Sequence, residues 1–217
     1  MNAPAFNEAR PKRRLDMDQQ SAARTAPAEI TGCEEKSELY IRVTLAKAVQ
    51  CTLKARYRLA SVAARTSDSE RQKLWNAGPE KTWFDAYDAR KLARIQETFE
   101  RIGEILSSPK LSIICDPNFA LYAKALPGIR RIRLGRMWID LDPEERSERI
   151  QTFIHEAAHI AGRSVGNETP WYGRTGAQTM ASKMELRKRP MMVTRSAENH
   201  GYYAIDVAAA FSVLLWA

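Results

Sequence analysis

The segment DPEERSERIQTFIHEAAHIAG, residues 142–162, constrains this chain more than any other. Asp142 can cap a helix, Pro143 suits its first position, and Glu145 completes a capping box. Ile150, Phe153, Ile154, Ala157, Ala158 and Ala161 follow at helical spacing, so one stripe of this helix must be buried. Gly162 can close it. Two of the chain's three histidines, His155 and His159, lie on the same helix, with Glu156 directly after the first. Any fold must therefore bury an apolar stripe and still accommodate two imidazoles one turn apart.

That spacing carries chemistry. Four residues advance about 400° along a helix, so both imidazoles project from one side, about 6 Å apart along the axis. Two nitrogens so placed can bind one zinc ion at about 2.0–2.1 Å each. Glu156, rotated about 100° from His155, can reach the open coordination position where a water binds. Zinc lowers the pKa of such a water, the glutamate takes its proton, and the hydroxide attacks a peptide carbonyl. A catalytic site of this kind needs a third protein ligand. No third histidine stands at the close downstream spacing of the metzincins. Two glutamates compete: Glu168 in GNETPWYG, and Glu198 on the last helix, which resembles the gluzincin arrangement. His200 reads as a hydrogen-bonding residue at a helix start rather than a ligand.

The rest of the chain is that of an ordinary soluble protein, 44% hydrophobic and 28% charged. Residues 1–37, rich in Ala, Pro and charge without periodicity, are expected to be a disordered leader, and 38–217 one domain. A helix is expected over Leu39–Arg65, with Val43, Ala46, Val49, Leu53, Tyr57 and Ala60 as its stripe. A polar linker over 66–81 leads to a second helix, Tyr87–Leu106, with Leu92, Ile95, Phe99, Ile102 and Leu106 on one face. LSIIC (111–115) reads as a buried strand. ALYAKALPGIRRIRLGRMWIDL reads as two or three short strands about a Pro127-Gly128 turn. A loop is expected from 163 to about 195, then a helix over Ala197–Trp216. Cys33, Cys51 and Cys115 allow at most one disulfide and are read as free buried thiols.

The segment after HEAAH resembles that of the aspzincins, the deuterolysin and peptidyl-Lys metalloendopeptidase group. Their pattern is HExxH followed by G-T-x-D-x-x-Y-G; here stand Gly166, Glu168 and Tyr172-Gly173. Glu168 replaces the usual Asp, and one extra residue separates it from the Tyr. TWFDAYDARKLARIQETFERIGEIL, RIRLGRMWIDL and SAENHGYYAIDV are similar to further family segments, most closely in the lysine-specific branch. The resemblance implies an α+β, zincin-like fold, mostly helical, with a small mixed sheet and an HExxH active-site helix. It implies a zinc endopeptidase in which His155, His159 and Glu168 are ligands and Glu156 is the base. Tyr172 would stabilise the oxyanion. Glu198 would face a substrate lysine after the scissile bond, and Gly201, where a second acid occurs in the family, would leave room for arginine.

The implied partner is a protein or peptide substrate. The net charge of +8 is scattered, so nucleic acid is not expected. The apolar C-terminal stretch is too short to span a bilayer. No secretory signal is visible, which points to a cytoplasmic protein or to export by a dedicated route. Two rival readings share the fold: a catalytically silent binding protein, and the same peptidase delivered as a bacterial toxin or effector, with an inhibitor or immunity partner.

Overall fold

A computed structural model gives the fold and describes residues 28–141, 145–162, 171–183 and 191–211. The HExxH helix, α6 (Arg146–Ile160), is central. Its apolar stripe, Ile150, Phe153, Ile154, Ala157 and Ala158, is buried. Asp142 and Pro143 lie outside the described residues, and Glu145 at the N-cap makes no side-chain capping bond. At the other end Gly162 adopts φ +66, a left-handed conformation that suits glycine, and its N–H donates to the His159 carbonyl at 3.0 Å.

Three helices pack on α6: α1 (Glu35–Ala63), α4 (Ala89–Leu106) and α8 (Ala197–Phe211). In α4 the expected stripe of Leu92, Ile95, Phe99, Ile102 and Leu106 is buried. In α1 the expected stripe is the wrong one. Val43 and Tyr57 are exposed, while Ile41, Thr44, Ala48, Cys51, Thr52, Ala55, Leu59 and Val62 are buried. Small side chains explain the inversion. Ala, Thr and Cys carry little hydrophobic signal but let α1 approach its three neighbours closely, and the Thr44 hydroxyl donates to the Tyr40 carbonyl at 2.9 Å.

On its other side α6 meets a four-stranded sheet. β1 (Glu29–Thr31), β2 (Ser112–Asp116) and β4 (Arg131–Gly135) run parallel, and β3 (Ala123–Leu126) pairs antiparallel with β4, in the order β1-β2-β4-β3. Period-two alternation buries Ile113, Cys115, Ile132 and Leu134. Pro127-Gly128 turns the chain between β3 and β4 in a short 3₁₀ segment. β4 runs directly into a single turn, α5 (Arg136–Ile139).

The stretch expected to be a polar linker is helical. α2 (Asp68–Asn76) starts on a capping box between Ser67 and Glu70, and α3 (Pro79–Phe84) starts on a proline. Trp75 from this stretch, and Trp83 and Phe84 just after it, are fully buried. The expected loop after α6 likewise contains a helix, α7 (Gly173–Ser182).

The leader boundary and the thiols also need correction. β1 and the start of α1 lie within residues 28–37, and the sheet register carries Thr31 opposite Ile114. That pairing brings Cys33 to Cys115, with Cα atoms 5.1 Å apart, and the two form a disulfide across 82 residues of sequence. Cys51 is the free, buried thiol, pushed up to about 11 by burial. Among the described residues no helix is long and apolar enough to cross a membrane.

Candidate metal centre

His155 and His159 stand one turn apart on α6, and their Nε2 atoms converge to 3.0 Å with the rings inclined at 71°. Two nitrogens sharing one tetrahedral ion would lie about 3.3 Å apart, given bonds of about 2.0–2.1 Å. The two nitrogens, within hydrogen-bond reach of each other here, stand close to the separation a common cation would need. Burial, then the neighbouring His159 and His200, pushes His155 down to about 3, and burial lowers His159. Both imidazoles are therefore neutral at pH 7, each with a lone pair to give. Donor type, spacing and protonation fit zinc.

Glu156 is buried, and its Oε1 lies 4.0 Å from His155 Nε2. Tyr172 forms the N-cap of α7, and its ring lies 6.5 Å from that of His155 at an angle of 27°. It is 56% exposed, so an incoming ligand can reach its ring. Its neighbour Trp171 instead packs under the Lys183 ammonium, 4.4 Å from the ring centre. Glu168 lies outside the described residues. Among those described, no third His, Cys, Asp or Glu joins the two histidines in a three-donor group.

Glu198 is held against α6. It is 6% exposed, its Oε2 accepts from Gln151 Nε2 at 2.7 Å, and its Oε1 lies 3.8 Å from His155 Nδ1. That nitrogen is the one turned away from His159. The room expected at Gly201 is filled as well. A Cβ there would come within 2.8 Å of Gln151 Cγ and 3.0 Å of its Nε2. Gln151, one turn before His155 on the same face, is the residue that sequence reasoning missed; its i−4 position relative to the first histidine was the available signal.

The α8 segment SAENHGYYAID turns most of its polar groups inward. The Ser196 hydroxyl accepts from the Asn199 N–H at 3.1 Å and donates to its side-chain oxygen at 2.6 Å. The Asn199 amide donates to the carbonyls of Trp83 and Ala177, tying α3 and α7 to α8. His200 is fully buried and donates from Nδ1 to the Ser196 carbonyl at 2.6 Å. Tyr202 donates to Glu148 of α6 at 2.8 Å. The Tyr202–Glu148 and Gln151–Glu198 bonds tie α8 to α6, the helix that carries His155.

No protein-family model matches this chain. It is 24% identical over 125 residues to an extracellular protease of Aeromonas hydrophila, a match covering 57% of this chain and 34% of that protein. The chain thus spans about a third of that relative's length. Its structure is similar to that of a zinc peptidase from Grifola frondosa, with a TM-score of 0.58 over 82% of this chain and 99% of the other. The two share one fold. Identity between them is 18%, and the architecture is zincin-like α+β, mostly helical with a small mixed sheet.

Proposed function

We propose that this protein is a zinc-dependent endopeptidase. The observation that carries the reading is the convergence of two neutral imidazole nitrogens to 3.0 Å, with a buried carboxylate beside them. His155 and His159 would hold zinc, with Glu168 as the third ligand. Bound there, zinc would acidify a water and polarise the scissile carbonyl. Glu156 accepts the water's proton and returns it to the leaving amine. The Tyr172 phenol donates a hydrogen bond to the carbonyl oxygen as negative charge develops on it. β3, one of the two edge strands of the sheet, packs on α6, and an edge strand offers unpaired N–H and C=O groups to an extended peptide. The likeness to a zinc peptidase and to an extracellular protease supports this chemistry.

A preference for lysine after the cut gains no such support, because Glu198 is buried and already bonded. The Cys33–Cys115 disulfide favours an oxidising compartment over the cytosol. The direct test is incubation with a denatured protein, followed by mass-spectrometric mapping of the cuts. Cleavage is expected to stop when zinc is chelated and to return when zinc is restored. Cleavage indifferent to chelation, or none from the zinc-loaded protein, overturns the reading.

A further inference from the structure

We propose that Glu198 is a positioning residue for His155, held in place by Gln151. The proposal rests on the reading of the histidine pair as a zinc site. Burying a carboxylate is costly unless partners compensate it. Glu198 is buried at 6% exposure, and its two oxygens face two different groups of α6. Oε2 accepts from the Gln151 amide at 2.7 Å, and Oε1 faces His155 Nδ1 at 3.8 Å. The second distance is too long for a hydrogen bond but short for electrostatics in a poorly hydrated interior. A negative charge there favours the tautomer with its proton on Nδ1. The lone pair then sits on Nε2, the nitrogen that converges with His159. A carboxylate behind a metal-binding imidazole also raises its basicity and fixes the ring.

Gly201 makes the arrangement possible. It lies on α8 close to Glu198, and the Gln151 side chain occupies the space where a Cβ would project. A larger residue at 201 would displace Gln151 and release Glu198 from its bond. Glycine therefore serves here as the seat for Gln151, not as an opening for a substrate side chain. Both Glu198 oxygens are thus directed at α6, Oε2 at Gln151 and Oε1 at His155.

The test compares wild type with Glu198→Gln and Gln151→Met, the second keeping volume but removing the donor. Zinc affinity is measured by competition with a chromophoric chelator, and cleavage sites are mapped on one denatured protein. Glu198→Gln is expected to bind one zinc about ten- to a hundredfold more weakly, and Gln151→Met to weaken it several-fold. Neither should change which residue follows the cut. Unchanged zinc affinity in Glu198→Gln overturns the proposal. So does loss of zinc stoichiometry in that variant, which would make Glu198 a direct ligand. Collapse of a preference for basic residues would overturn it as well, placing Glu198 in a substrate pocket. If wild type itself binds no zinc, the failure lies with the zinc reading instead.

Discussion

Glu156→Gln is expected to keep the fold and the zinc affinity of the wild type and to lower peptide hydrolysis by at least about a hundredfold. The amide matches the carboxylate in size, and Glu156 is buried on the packed helix α6, so the change is nearly isosteric. What it removes is a basic oxygen. An amide accepts a hydrogen bond from water but does not take its proton, and it has none to return to the leaving amine. Glu156 Oε1 lies 4.0 Å from His155 Nε2, beside the nitrogens where the reacting water would sit. Initial rates on a peptide substrate, at matched zinc content, check this. Wild-type turnover in the variant would remove Glu156 from the chemistry.

Glu80→Ala is expected to destabilise the protein by about 3–5 kcal/mol, the usual effect of removing one partner from a buried ion pair. Glu80 is fully buried. Its Oε1 accepts from Arg58 Nε and from the Tyr203 hydroxyl, each at 2.8 Å, and its Oε2 accepts from Arg58 Nη2 at 3.0 Å. One carboxylate thus joins α1, α3 and α8. Without it the Arg58 guanidinium, 15% exposed, keeps its charge in a poorly hydrated place, and the phenol loses its acceptor. The half-exposed Arg42–Glu38 pair on α1 supplies the contrast, since Glu38→Ala should cost less than about 1 kcal/mol. Urea unfolding of both variants measures the difference. A Glu80→Ala midpoint close to that of Glu38→Ala would contradict it.

What was legible in the sequence depended on range. The stripes of α4 and α6 repeat at 3.6 residues with apolar side chains, and both are buried as read except for Ala161, which is only partly buried at the C-cap of α6. The face of α1 was illegible because its core side chains are largely Ala, Thr and Cys. α2 and α3 were hidden by a polar composition, although Ser67, Glu70 and Pro79 already marked their starts. The disulfide depends on the β1–β2 register, which no local pattern specifies. At the candidate site, the HExxH spacing gave the imidazole pair directly. Glu198 was legible as a carboxylate near the site, but not its direction. That direction is set by Gln151 and Gly201, two residues on different helices that meet only once α6 and α8 are packed.

The measurement that bears most directly on the metal centre is anomalous scattering at the zinc edge from crystals of the zinc-loaded protein. One peak is expected, bonded at about 2.0–2.2 Å to Nε2 of both His155 and His159 and to a carboxylate oxygen of Glu168. Glu198 should stand behind His155 without touching the ion. No peak at the two histidines, or one bonded to Glu198 in place of Glu168, would contradict this metal centre.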